Sequence, residues 1–387
     1  MSDFSNLVQV ALEVERKPFL KEVFEELEPE AYSSVMSLLA SPFFQFQPFG
    51  LYNNVRYGGY EGDGPCQVGY LRSMEKNKWA TAGNRAGKTV LGMIEDVADA
   101  LLIDPITKAP YSDLPKNSRR FSAGPINIWV VSDTEETAIQ NPEKVIYEDV
   151  LGEDESGPMW NMVKDGCQYS AKNGWAGHLL EFTNDSWIRF KFSTQKRKTF
   201  QGVKLHKVHM DEVQPREIYS ECTARLADLN GYMTGTMTPL EDRGVPWIYE
   251  ELYLPREAKG IDFHQWSMLD NPHLAKEGRD RLMRQWDEDE IEARVYGSWV
   301  PIGHKLAFDN KLIRKLREWV KAPEIGSIYM DERGRVEFSP NKCLKRKNIY
   351  PLKSRKRSLK SWPCGMRRPL PSVNTIVWRI WPRPRAG

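Results

Sequence analysis

The chain is 387 residues long, with 40% hydrophobic and 28% charged side chains, a composition that suits a globular protein built as one large α/β domain or two smaller ones. No uninterrupted apolar run approaches the length of a membrane span, and the opening MSDFSNLVQVALEVERKPF is broken by Asp, Glu and Arg where a secretory leader would be apolar. The formal net charge of +2 conceals an asymmetry: residues 341–387 hold 14 Lys and Arg and no Asp or Glu, while the preceding residues hold 41 basic and 53 acidic side chains.

In chain order, residues 7–40 read as helical, with Leu, Val and Phe at three- and four-residue spacing and breaks at Pro18 and Pro29. Residues 41–66 mix aromatics, Gly and Pro as an irregular connection, so 1–65 is expected to be a small helical N-terminal or lid region. Cys66, Cys167, Cys222, Cys343 and Cys364 form no C-x-x-C pair, which argues against a disulfide framework or zinc knuckle and suits a reducing cytosol. Lys78–Ala82 is a short strand, and 88–103 a helix whose Val90, Ile94, Val97 and Leu101 mark one face. A buried strand at Ile126–Val131 leads into a helix that Ser132 or Asp133 would cap. Residues 178–193 form a hairpin around Asn184-Asp185, and strands follow at 203–210, 232–238 and 261–268, with a helix at 215–229. Strands alternating with helices predict an α/β fold with a mostly parallel sheet covered on both faces, and no internal repeat is present.

Within KWATAGNRAGKTVLG (78–92), Gly87-Lys88-Thr89 is what a phosphate loop requires, yet Ala82 stands where G-x-x-x-x-G-K-[ST] has its first glycine. Such a loop works because backbone N–H groups at a helix N-terminus point at an anion, and glycine is needed where the chain turns tightly or approaches the phosphate. Gly83, one step later, supplies that freedom. The loop Gly83, Asn84, Arg85, Ala86, Gly87 would then hold ATP phosphates, with Lys88 bridging the β- and γ-phosphates and Thr89 Oγ ligating Mg²⁺. A plain strand-turn-helix corner with an exposed lysine fits the loop alone. A second element is therefore required, and LHKVHMDEV (205–213) offers it: Asp211 to hold the magnesium, Glu212 to polarise the attacking water. That strand is irregular, since His206, Lys207 and His209 interrupt Leu205, Val208 and Met210, and an acidic pair at a strand end is also ordinary surface. Thr236 and Thr238, in a strand closed by Pro239, are placed to sense the γ-phosphate, and Lys196, Arg197 and Lys198 to touch nucleic-acid phosphates or simply to be solvated.

Taken in order, AGNRAGKT (82–89), FQG (200–202), VHMDE (208–212), ECTARL (221–226), TGTMTP (234–239), LDNPHL (269–274) and ARVYGSW (293–299) resemble the large subunit of a tailed-bacteriophage DNA-packaging terminase, over about residues 66–310. The resemblance implies a P-loop NTPase of the ASCE type with a helical N-terminal region, hydrolysing ATP with Mg²⁺ to push double-stranded DNA into a prohead. It implies as partners a portal protein, a small terminase subunit and further copies of the chain in a ring, in the cytoplasm of an infected bacterial host and with no membrane. It also implies catalytic roles for Arg85, Lys88 and Glu212, an adenine-sensing role for Gln67, coupling roles for Thr236 and Thr238, and phosphate sensing or helix packing for Arg225. Residues 311–340 would be a linker or the start of a nuclease domain. The tail at 341–387 departs from the family, because it offers no carboxylate for a two-metal nuclease site. A frameshift or truncation that removed the nuclease accounts for it, and so does a basic tail that binds DNA. Two rival functions stay open: a helicase-like DNA-dependent ATPase, and an inactive remnant that binds DNA or portal.

Overall fold

The computed structural model describes residues 29–49, 66–239 and 245–299, together with the backbone of 326–330, 336–340 and 376–378. The chain divides into two units, Met1–Ile302 and Gly303–Gly387. The helical reading of 7–28, the linker at 311–325 and most of the basic tail lie outside the described residues.

In the first unit seven strands make one sheet: β1 (Asn77–Ala82), β2 (Asn127–Ser132), β3 (Leu179–Glu181), β4 (Trp187–Phe192), β5 (Lys207–Asp211), β6 (Tyr232–Met237) and β7 (Ile261–Trp266). Their order is β3-β4-β2-β5-β6-β1-β7. All neighbours are parallel except β3 and β4, the hairpin expected around Asn184-Asp185. Helices α1 (Pro29–Ala40), α2 (Gln67–Arg72), α3 (Lys88–Leu101) and α4 (Arg216–Leu226) belong to the same unit, with α3 on one face of the sheet and α4 on the other. Two boundaries differ from expectation. The helix after β2 is capped by Thr134, whose hydroxyl accepts from the Thr137 amide at 3.1 Å, and not by Ser132 or Asp133; Ser132 is the buried last residue of β2. β5 starts only at Lys207, because the Leu205 amide is bound to the Arg225 carbonyl at the end of α4.

A parallel strand covered on both faces should be apolar on both. β2 obeys: Ile128 and Val130 join the core beneath α3, Trp129 and Val131 the core beneath α4. β5 and β6 obey on one face only. Val208, Met210, Met233 and Met237 pack toward Ile218, Cys222 and Leu226 of α4. Gly235 completes that face, since a Cβ there would strike the Trp79 ring. Because successive side chains alternate, the opposite face carries Lys207, His209 and Asp211 of β5 and Thr234 and Thr236 of β6, all buried.

Helix α3 answers that polar face. Its apolar stripe holds Ile94 and Val97 in the core, while Val90 is only partly buried, and Glu95, Asp96 and Asp99 are buried as well. Lys207 Nζ lies 2.9 Å from Glu95, 2.8 Å from Asp96 and 2.7 Å from Asp99. Lys78 of β1 pairs with Glu95 at 2.5 Å, Arg120 pairs with Glu95 at 2.7 Å, and Tyr111 donates to Asp99 at 2.6 Å. Burial alone would raise the Glu95 carboxyl, but Arg120, Lys207 and Lys78 overcome it and hold the group well below the usual carboxylate range. Lys207 shows the mirror effect: burial lowers it, and Asp96, Asp99 and Glu95 more than compensate. Lys78 is pulled down to about 7, by burial first and then by Arg120.

The second unit contributes three described strands, with β8 (Gly326–Met330) between β9 (Val336–Pro340) and β10 (Ile376–Trp378), both antiparallel to it.

Removing one member of a buried ion set leaves the others uncompensated, so Lys207→Met is expected to destabilise the first unit by about 3–5 kcal/mol in chemical denaturation. Lys144→Met, which breaks the exposed Lys144–Glu148 pair, should cost less than about 1 kcal/mol. Equal effects would contradict a stabilising role for the buried set.

Candidate active site

β1 ends at Ala82 and α3 begins at Lys88, so the candidate phosphate loop lies at the carboxyl edge of the parallel strands, where α/β sheets place their ligands. Ala82 belongs to the strand: it pairs with Trp266 of β7 and is fully buried. Gly297, at a φ of 62°, packs on it, with a hypothetical Cβ only 2.5 Å from the Ala82 Cα. The need for glycine falls one residue later. A Cβ on Gly83 would collide with the Val295 carbonyl and lie 2.7 Å from the Arg294 oxygen.

Distant segments fix the loop from outside. The Gly83 amide donates to Trp266 O at 3.3 Å and the Asn84 amide to Arg294 O at 2.6 Å. Asn271 Nδ2 donates to Arg85 O at 2.7 Å, and Ala86 O accepts from Trp266 Nε1 at 2.8 Å and from Gln67 Nε2 at 3.4 Å. In a trans peptide the carbonyl and the following N–H point in opposite directions, so holding Ala86 O against Trp266 turns the Gly87 amide the other way. Arg85 and Gly87 both take positive φ, 58° and 75°. Gly87 also starts α3 without a side-chain cap, leaving the first-turn amides of the helix as an anion site.

The catalytic candidates meet at that helix terminus. Buried Lys88 Nζ donates to Gly83 O at 2.9 Å and to Thr238 Oγ1 at 2.8 Å, and the Thr238 hydroxyl donates to Asn84 Oδ1 at 3.2 Å. Glu212 Oε2 accepts from the Thr238 amide at 3.1 Å, while its own amide donates to Thr236 O at 2.8 Å. Glu212 sits at a φ of 64°, an uncommon conformation for a non-glycine residue and one that clusters at functional sites. Asp211 is buried beside it. Burial first and Glu212 next push its carboxyl up to about 6, against opposing pulls from His209 and Lys88.

The structure thus gathers Gly83, Asn84, Lys88, Glu212 and Thr238 into one hydrogen-bonded cluster, with Asp211 in electrostatic reach of Lys88. Thr89 is partly buried in the first turn of α3, and the Arg85 side chain is exposed. Gln67 is buried and also accepts from the Phe49 amide at 3.1 Å, which ties the 46–49 segment to the loop. Thr236, expected to stand with Thr238 at the phosphate, instead meets His209 Nε2 at 3.0 Å, because two residues along β6 separate the two hydroxyls by about 6–7 Å. Arg225 is not at the phosphate end: its carbonyl binds Leu205, before the start of β5, at the opposite edge of the sheet. Trp266, Asn271, Phe49 and His209 were not foreseen as site residues. Asn271 lay inside a matched motif, whereas a lone Trp at a strand end carries no signal.

The resemblance in sequence implies a nucleotide with Mg²⁺. Among the described residues no group of three or more His, Cys, Asp or Glu could hold a metal alone. One buried carboxylate and one threonine hydroxyl fit a cation that arrives with its phosphates and keeps several waters.

The fold and the loop define an α/β protein with a mostly parallel sheet and a glycine-bounded loop that leads from β1 into the N-terminus of α3. No family model matches the chain. Over 233 residues it is 25% identical to the terminase large subunit of Salmonella phage P22, covering 56% of this chain and 46% of that protein, and so spans less than half the length of that relative. Among solved structures, the large terminase of a thermophilic bacteriophage aligns at 18% identity, with a TM-score of 0.44 for its complex with ADP, covering 60% of this chain and 52% of that one. Its complex with ATP-γ-S aligns with a TM-score of 0.41 over the same shares.

The shifted glycine yields a test. Gly83→Ala requires the Arg294 and Val295 carbonyls to move and is expected to cost about 2–3 kcal/mol, whereas Ala82→Gly, which restores the usual loop spelling, should cost about 1 kcal/mol from chain entropy. Denaturation of both variants checks the order, and a tolerated Gly83→Ala would contradict it.

Proposed function

We propose that this chain is the ATP-hydrolysing motor part of a tailed-phage terminase large subunit, which uses ATP with Mg²⁺ to translocate double-stranded DNA into a prohead. The observation that carries the reading is the joining of Lys88, Asn84, Glu212 and Thr238 by hydrogen bonds at the N-terminus of α3. The similarity to the phage P22 subunit supports it.

In this mechanism the loop amides and Lys88 bind the nucleotide phosphates, and Arg85, exposed on the loop, adds positive charge for the developing phosphoryl transition state. Glu212 is fixed at both ends, its amide on Thr236 O and its carboxylate on the Thr238 amide. That leaves it to orient a water and take its proton. Thr89 and Asp211 would hold Mg²⁺, which would neutralise phosphate charge. Lys88 exchanges Thr238 Oγ1 for the γ-phosphate when ATP binds and returns to it after phosphate leaves, so the end of β6 registers the nucleotide state. The reading keeps an adenine-sensing role for Gln67, whose side-chain amide is held by the Ala86 carbonyl and the Phe49 N–H.

The proposal extends to double-stranded DNA, a portal protein, a small terminase subunit and a ring of further copies as partners, in the cytoplasm of an infected host. The exposed Lys196, Arg197 and Lys198, with Arg197 already paired to Glu221 at 2.7 Å, are candidates for DNA contact. The reading assigns no DNA cleavage to this chain, so nicking of supercoiled plasmid in Mg²⁺ or Mn²⁺ would contradict that part.

Lys88→Ala and Glu212→Gln are each expected to lower duplex-stimulated ATP turnover by at least about 100-fold, with Glu212→Gln still binding nucleotide. Unchanged turnover in both would refute the site. Separation of the strands of a forked duplex by the unsubstituted chain would favour the helicase-like reading instead.

A further inference from the structure

We propose that His209 is a positioning residue that closes a ring of hydrogen bonds from the P-loop helix through β5 and β6 and back, and so sets the placement of Glu212. The inference rests on the motor reading above. His209 is fully buried, with Nδ1 2.6 Å from Asp96 Oδ2 on α3 and Nε2 3.0 Å from Thr236 Oγ1 on β6. Its ring lies directly against the helix: a Cβ on Gly92 would fall on the imidazole, so glycine at 92 is what admits it.

Thr236 is the joint of the ring. Its hydroxyl meets His209, and its carbonyl accepts the Glu212 amide at 2.8 Å. Two residues on, the Thr238 amide holds the Glu212 carboxylate and the Thr238 hydroxyl holds Lys88. Lys88 and Asp96 lie on the same helix. The path Lys88–Thr238–Thr236–His209–Asp96 therefore begins and ends on α3, with Glu212 bonded to both threonines. Period-two alternation makes this possible, because His209 shares its face of β5 with Lys207 and Asp211, and Thr236 its face of β6 with Thr234. α3 is thereby tied to β6 at two points, at Thr238 through Lys88 and at Thr236 through His209. Polar atoms in such a dry setting act as a unit.

The role differs from simple packing in what it moves. Thr236→Val keeps the volume and removes the hydroxyl. His209→Asn keeps a polar group near Asp96 and withdraws the one facing Thr236. Each is expected to lower kcat for duplex-stimulated ATP hydrolysis about tenfold, as loss of an orienting partner behind a reacting group does. The dissociation constant of a fluorescent ATP analogue should stay within about twofold, and the double variant should be little worse than either single one. Thr236→Ser, which restores the hydroxyl, should recover most of the rate. Turnover within about twofold of the unsubstituted chain in both single variants overturns the inference and leaves the motor reading standing. Loss of nucleotide binding in proportion to kcat overturns it too, since that is collapse of the site and not mispositioning. No turnover in the unsubstituted chain overturns the motor reading, and this inference with it.

Discussion

The buried ion layer between α3 and the central strands is the constraint on which the rest of this fold depends. Lys207 is shared by three carboxylates of α3, and Lys78 and Arg120 complete the balance. Charges removed from water cost several kcal/mol each, so the arrangement is favourable only when complete and well aligned. An apolar helix on an apolar sheet is registered by the interlocking of side chains alone. A helix held by Glu95, Asp96 and Asp99 has one register on β1 and β5, and that register delivers Lys88 to Thr238.

Around this fixed helix the loop is shaped by parts of the chain far away in sequence. Trp266, Asn271 and the Arg294–Val295 carbonyls grip successive residues from Gly83 to Ala86. The close approach of the 294–297 segment explains why Ala is accepted at 82 and glycine is required at 83. It also gives a physical meaning to the DNP and ARVYGSW stretches: Asn271 holds the Arg85 carbonyl, and the Arg294 and Val295 carbonyls and Gly297 pack against Ala82–Asn84.

Much of the fold was legible in the sequence. The alternation of apolar strands with helices, and the Asn184-Asp185 turn, were enough for a mostly parallel sheet and one hairpin, though not for the hairpin's place at the sheet's edge. The loop and the acids were legible as spellings. The sequence did not disclose why β5 looked irregular. Lys207 and His209 read as interruptions of a buried strand, because one face of that strand is complemented by acids on a helix some 110 residues earlier. Pairing across that distance leaves no local periodicity. For the same reason Thr236 and Thr238 looked equivalent in TGTMTP, although only Thr238 reaches Lys88 and Thr236 belongs to His209. The helix cap at Thr134 was missed by one or two residues, since three polar candidates stand in a row at the end of β2.

What unites these features is a helix N-terminus at which uncapped amides, a lysine and neighbouring acids converge, the arrangement on which the proposed nucleotide site rests. The most direct measurement is equilibrium titration of the intact chain with a fluorescent ATP analogue in Mg²⁺, competed by ATP. One saturable site, displaced by ATP and lost in Lys88→Ala, is the result this account predicts. Absence of saturable binding, or binding that survives Lys88→Ala undiminished, would contradict it.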